Sequence, residues 1–403
     1  MTSYFSRNRA TWLAYFLLAF YGYYLNILGP ITPFLKDELK LSYTVSSLHF
    51  TAFAGGMLIA GLGGHLVIQR IGRWRSLWLG ALGMSVSALF LVAGWTPVLT
   101  IAACLLMGLI GSLILAIVPS ALSDQYGERR SVALSEANVI SSISSAAAPL
   151  AVGWFVILSG GWRPALGLAA LVPLLIRFGL GRVNLPETKA AQPDATRRPG
   201  SLPFLYWVYW IAIVLAVSVE FCMVFWSADY LEQVLGLAKA AAAQAVSVFL
   251  IGMIIGRLAG SRLVQRFPID RCVLVSILLA CGGFLIYWGA PGALIGIGGL
   301  FLTGLGVASL YPLILSLAIG SAGAASVQAS ARATLASGTA ILALPLVLGR
   351  LADAVGIRLA YGVVAVLLVG VLLITQFAGR VTRARPETAV VENGTQINTD
   401  KHR

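Results

Sequence analysis

From Thr11 to Gly379 the chain is an almost unbroken series of apolar runs, and no other feature limits its fold as strongly. A bilayer core about 30 Å thick is crossed by roughly 17–25 helical residues. Backbone groups in lipid must satisfy one another, which favours helices for such runs. Breaking the runs at charged or Gly/Pro-rich punctuation predicts helices near 11–35, 45–69, 76–94, 98–122, 133–158, 163–181, 204–233, 240–266, 272–289, 293–318, 327–352 and 357–379. Of the 403 residues, 59% are hydrophobic and 11% charged, against about 25% charged in a soluble domain. Lipid is therefore the expected solvent, and the fold class is all-α integral membrane with twelve transmembrane helices.

Charge fixes an expected orientation. The 28 Lys and Arg against 15 Asp and Glu give +13, which in a soluble protein would suggest a nucleic-acid partner. Here the bases sit in short connections: Arg70, Arg73 and Arg75 after the second run, Arg129 and Arg130 after the fourth, Arg266 and Arg271 after the eighth. The positive-inside rule places these in the cytoplasm, so a multi-pass protein of the cell (inner) membrane with both termini cytoplasmic is expected, and no nucleic-acid partner. Arg7 and Arg9 precede an apolar stretch that continues to Leu35 without a small-residue cleavage site, so it is read as a retained first helix.

Several function classes lack their residues. Cys104, Cys222, Cys272 and Cys281 lie singly in apolar runs, and His49, His65 and His402 are scattered, so no metal or cofactor is expected. There is no G-x-x-x-x-G-K-[ST] loop for an ATP motor, and no H-E-x-x-H or G-x-S-x-G for an enzyme. A receptor or sensor remains as a competing class, but the chain shows no added signalling domain.

An internal repeat organises the rest. An offset of 196 residues places Gly56-Met57 on Gly252-Met253, Gly64 on Gly260, Gln69-Arg70 on Gln265-Arg266, Gly108 on Gly304, Pro149 on Pro345 and Gly153 on Gly349. The expected organisation is a six-helix half over 1–181, a cytoplasmic linker over 182–203, a second six-helix half over 204–379, and a disordered cytoplasmic tail over 380–403. Two such halves suit a transporter with its solute site between them near mid-membrane.

The loop "GGHLVIQRIGRWRSL" resembles the Gly-x-x-x-Asp-Arg-x-Gly-Arg-Arg signature of the major facilitator superfamily through Arg70, Gly72 and Arg73. It departs with His65 at the Gly position, Gln69 at the Asp position and Trp74 at the last Arg, with Arg75 one place late. The fifth helix is similar to that family's Gly-Pro-rich motif through Pro149, Gly153 and Gly161-Trp162-Arg163, which implies export. Cys104, standing where many proton-coupled exporters carry Arg, pulls the other way. The resemblance implies alternating access by a single chain, a small-molecule substrate, and cavity-lining first, fourth, seventh and tenth helices.

Glu220 stands alone in the apolar "AVSVEFCMVFW". An ionisable group in hydrocarbon costs about 2.5–3.5 kcal/mol or more, which suits a carboxyl that takes up and releases the coupling proton. The alternative is a protonated Glu in a static helix contact. Tyr24 matches Glu220 under the offset, and Phe20, Tyr21 and Tyr24 share one side of the first helix, either as a substrate wall or as packing. Asn26 and Tyr311 are further cavity candidates from the lining helices. Those four helices have no Lys or Arg in their centres, which favours a neutral or cationic solute. Glu136 and Arg332 occupy equivalent positions, and with Arg257 they form a candidate conformational gate in which Glu136 pairs with Arg257. Small residues at Gly56, Ala60 and Gly64, at Gly252, Gly256 and Gly260, and at Ala137, Ser141, Ser145, Pro149 and Gly153 predict close helix packing. The leading expectation is a proton-linked carrier with export slightly ahead, and the runner-up is sugar-type uptake.

Overall fold

The computed structural model describes residues 6–180, 183 and 202–384. Most of the expected linker and tail lies outside the described residues. All regular elements described are helical: α1 (Arg9–Leu39), α2 (Tyr43–Ala93), α3 (Pro97–Tyr126), α4 (Arg130–Ile157), α5 (Arg163–Ala169), α6 (Val172–Leu180), α7 (Phe204–Gln233), α8 (Lys239–Leu263), α9 (Ile269–Trp288), α10 (Ala293–Val307), α11 (Leu310–Ser321), α12 (Ser326–Val355), α13 (Ile357–Ala360) and α14 (Gly362–Ala384). Starts follow local chemistry. Asn8 accepts from the Thr11 amide, Ser42 from that of Val45, and Thr96 from that of Leu99 just ahead of Pro97. α14 continues to Ala384, five residues past the expected end of the last helix.

Ten helical stretches among the described residues are long and apolar enough to cross a membrane. Two of them cross twice. The 51 residues of α2 would extend about 75 Å as one rod, but the chain reverses at Gly72. Before it, Gly56 meets Leu105 and Gly64 meets Leu113, so that segment runs with α3. After it, Gly80 meets Ile114 and Gly94 meets Thr100, so that segment runs against α3. α3 and α4 likewise reverse at the 3₁₀ turn Gly127–Arg129. The result is twelve crossings.

Other expected boundaries change as well, and the helix expected over 357–379 is divided between α13 and α14. The loop expected over 70–75 contracts to Gly72 alone, whose φ of 81° and ψ of 161° suit only a residue without Cβ; the arginines around it are helical. The sixth and tenth crossings are each interrupted, between α5 and α6 and between α10 and α11. Pro173 and Pro312 lack the N–H that would bond the carbonyls of Ala169 and Ala308, which is where the preceding helices stop.

The repeat is visible in the packing. A Cβ on Gly108 would lie 2.0 Å from the Phe53 carbonyl oxygen, and one on Gly304 would lie 2.2 Å from that of Phe249, its counterpart. Gly56 against Leu105 O (2.3 Å) and Gly252 against Phe301 O (2.5 Å) complete the same crossing in each half. Glycine is required there because the backbones touch. Outward residues are apolar, with Phe178 82% and Leu294 84% exposed, a surface for lipid rather than water.

Candidate functional site: a polar cavity between the halves

α1 to α6 and α7 to α14 meet most closely at the end of the bundle opposite the termini. There Lys36 Nζ lies 2.5 Å from Asp229 Oδ1, and Lys239 pairs with Asp37 across the halves and with Glu232 at 3.4 Å. Asp353 caps α2 across the same seam, accepting from the amides of Tyr43 and Thr44 at 2.8 Å each. Phe50 stacks on Phe225 at 4.1 Å, and Gly29 lets α1 touch the backbone of α7 at Val224. Asp229 is fully buried and Lys36 nearly so. Without each other these charges would be costly in such a place.

On the terminal side of this seal, at mid-depth, a cavity of about 220 Å³ opens between α1 and α4 on one side and α7 and α8 on the other. Glu220 stands on its C-terminal wall with Arg257 Nη2 at 3.6 Å from Oε1. Arg257 also reaches Ser142 Oγ at 3.4 Å across the halves. The facing wall carries Asn26, whose Nδ2 donates to Gly22 O at 2.9 Å and to Ser145 Oγ at 3.0 Å. Tyr21, Asn138 and Ser141 complete the polar lining. The buried Tyr21 hydroxyl has no well-formed hydrogen bond. Gly22 makes the wall possible, since a Cβ there would lie 2.5 Å from Ser141 Oγ.

The sequence candidates therefore separate. Glu220, Asn26 and Tyr21 come together at the cavity. Phe20 and Tyr24 do not: Tyr24 donates to Leu166 O at 2.8 Å inside the N-terminal half, and Phe20 lines an outward apolar groove against α5 and α6. Tyr311 packs half-buried on the core, away from the cavity lining. The expected partnership of Glu136 with Arg257 is replaced by two others. Glu136 is held bidentate by Arg7, at 2.6 and 2.8 Å, and by Tyr15 at 3.0 Å, all from its own half. Arg257 turns to Glu220. Glu136 thus takes a cation from within its own half. Arg332 stays in the other half, its carbonyl accepting from Trp210 at 3.0 Å and its guanidinium over the Trp207 ring. In the signature loop, Arg73 pairs with Asp124 at 2.6 Å, while Gln69, Arg70 and Arg75 are exposed.

Two further departures matter chemically. The four expected lining helices have no cation at their centres, but the cavity has one, because Arg257 enters from α8. Asn138, Ser141, Ser142 and Ser145 of α4 add a polar lining beyond the sequence candidates, and Ser141 and Ser145, expected as small packing residues, present their hydroxyls there. Hydroxyls recurring on one face of an apolar helix are the sequence signal for such a wall. Among the described residues no group of three or more His, Cys, Asp or Glu side chains could hold a metal ion.

Residues 11–344 match the sequence profile of the Major Facilitator Superfamily. The chain belongs to that superfamily. It is a multi-pass membrane transporter by family and by architecture. An uncharacterized MFS-type transporter of Yersinia pestis is 25% identical over 390 residues, covering 94% of this chain and 96% of the relative. A glucose/galactose transporter of Brucella abortus is 27% identical over 382 residues, covering 86% and 88%. Among solved structures, a bacterial homologue of the human lysosomal transporter Spinster, inward-facing and occupied, superposes with a TM-score of 0.74 at 14% identity, covering 93% of this chain and 98% of its own. At that identity the likeness bears on the fold alone.

Proposed function

We propose that this superfamily member is a secondary active carrier of a small, uncharged, hydroxyl-rich solute, moved by alternating access and coupled to protons through Glu220. The observation that carries the reading is the opposition, across a mid-depth cavity, of a Glu220–Arg257 pair on one half to Asn26 and Ser145 on the other. The amide and hydroxyls offer donors and acceptors in excess of any net charge, and the ion pair is close to neutral as a unit. Such a lining favours polyols and sugars over organic cations, which Arg257 would repel, and over dicarboxylates, which Glu220 would repel. The glucose/galactose relative points the same way. The two halves of one chain supply the whole lining, so a monomer suffices.

Arg257 gives Glu220 a compensating charge in this conformation. At 3.6 Å the contact is loose. A proton on Glu220 would release the arginine to solute or to Ser142, and deprotonation would recapture it. That exchange links proton occupancy to the geometry of the cavity. The Gly-Pro features whose resemblance implied export serve packing here: a Cβ on Gly153 would lie 2.2 Å from Gln244 Cγ, at the contact between α4 and α8. They give no preference for direction. With the termini in the cytoplasm, the seal is extracellular and the cavity opens inward.

The test is transport in proteoliposomes of purified protein. Glu220→Gln should retain counterflow of sugar between equal pools and lose accumulation driven by a pH gradient. The sign of the effective gradient separates uptake from export. Accumulation at the wild-type level in Glu220→Gln would remove Glu220 from coupling, and absence of counterflow by the wild type with any hexose, pentose or polyol would remove the substrate class.

A further inference from the structure

The third crossing begins with Trp74, Arg75 and Trp78 directly after the reversal at Gly72, and the last turn of α6 carries Arg177 beside them. With Leu82 and Leu174 these side chains line a hollow of about 320 Å³ on the outside of the N-terminal half. Nothing in the transport reading uses it. We propose that it binds the headgroup of an anionic phospholipid in the leaflet on the side of the termini.

Three observations converge on that chemistry. Among the described residues, neither Arg75 nor Arg177 has an ion-pair partner, although Arg73 next to them takes Asp124. Two unpaired guanidiniums flanking one hollow suit a phosphate diester, which they can bond in forked fashion. The indole Nε1 of Trp78 is buried without a hydrogen-bond partner, a donor still awaiting an acceptor. Trp74 packs edge-on against Trp78 at 5.7 Å, placing a pair of indoles at the depth where such rings sit at a membrane surface. The hollow's deeper part is apolar, and Leu79, Leu175 and Phe178 around it are exposed, so a molecule held at the arginines would lie with its tail along hydrocarbon. A free phosphate would satisfy the arginines but leave that apolar slope uncovered. The Trp at the signature's last Arg position, and the Arg one place late, thereby acquire a role of their own.

The site is independent of the transported solute, and its test needs no transport assay. Purified full-length protein in detergent is mixed with phosphatidylglycerol or phosphatidylcholine of identical chains, and bound lipid is counted by native mass spectrometry. Wild type should retain phosphatidylglycerol in preference to phosphatidylcholine. Arg75→Gln with Arg177→Gln should weaken that retention about 30-fold, the worth of two basic side chains at an anionic surface, and leave phosphatidylcholine unchanged. Arg70→Gln, a nearby exposed arginine outside the hollow, should behave as wild type. Trp78→Phe keeps the ring and removes the donor, and should weaken retention several-fold; it carries the test if the double variant does not fold. Equal retention of the two lipids by wild type, undiminished phosphatidylglycerol in the variants, or displacement of the lipid by millimolar inorganic phosphate would each overturn the proposal.

Discussion

Lys36→Met should open the sealed end of the bundle. Lys36 and Asp229 come from different halves, and they meet only while the halves are together at this end. Asp229 is fully buried there; one carboxylate oxygen is 2.5 Å from Lys36 Nζ, and the other has no hydrogen-bond partner. Removing one member of a buried pair costs about 3–5 kcal/mol because the remaining charge stays desolvated. That cost falls on the sealed conformation alone, since parting the halves returns Asp229 to water. At about 1.4 kcal/mol per factor of ten, the sealed population should fall relative to the open one by roughly 10²–10⁴-fold. The neighbouring Asp37–Lys239 pair cannot hold the seal, because Asp37 is 54% exposed and such pairs contribute about 0–1 kcal/mol.

Spin labels at Trp95→Cys and Pro291→Cys, in connections at the sealed end of either half, read the separation directly by double electron–electron resonance. Wild type should give a short distance, Lys36→Met a long one. Lys36→Met combined with Asp229→Leu should restore the short distance, because exchanging a whole buried pair for apolar side chains is often neutral or stabilising. A short distance in folded Lys36→Met would refute the reasoning. So would a double variant that stays open, since the effect would then not come from a stranded carboxylate.

Gly108→Ala, with its Cβ 2.0 Å from the Phe53 carbonyl oxygen, should force α2 and α3 apart and cost about 1–3 kcal/mol; thermal unfolding should show a lowered Tm, whereas Gly63→Ala, with open space around it, should not lower it. Asn26→Leu keeps the side-chain size but removes an amide that lines the cavity; KM for the solute should rise about 5–30-fold, from the roughly 1–2 kcal/mol of one lost hydrogen bond to the solute. Gln69→Cys should react with a membrane-impermeant maleimide only from the side of the termini, and strong labelling from outside intact cells would reverse the orientation.

Much of the fold was legible because the features that specify it act locally. A run of apolar residues, a cap such as Ser42 or Thr96, and a proline such as Pro97 each determine a helix end without reference to the rest of the chain. The glycine stripes predicted close crossings, and the crossings are where the backbones touch. What failed to read was of a different kind. Pro173 and Pro312 interrupt helices that length alone made continuous, and Gly72 replaces a six-residue loop because its backbone can take a turn that charge patterning does not encode. At the site, the ion partners were misassigned: Arg7, 129 residues before Glu136, and Arg257, one helix beyond Glu220, are neighbours only after packing.

The 196-residue offset explains why the scaffold was easier to find than the site. Positions where the halves agree, Gly56 with Gly252 and Gly108 with Gly304, make the same backbone crossing twice and can carry no directional information. Positions where they disagree hold the polar chemistry. Glu220 stands opposite Tyr24 under the offset, Arg257 opposite Gly61, Asn26 opposite Cys222, Ser145 opposite Ile341 and Lys36 opposite Glu232. A cavity between two related halves must present different groups from each side if it is to orient a solute that has no two-fold symmetry. Departure from the repeat, among polar residues in apolar helices, is therefore the signal that would have selected Glu220, Arg257, Asn26 and Ser145 together; it also selects Tyr311, opposite Leu115, which packing then places off the cavity wall that Leu115 lines.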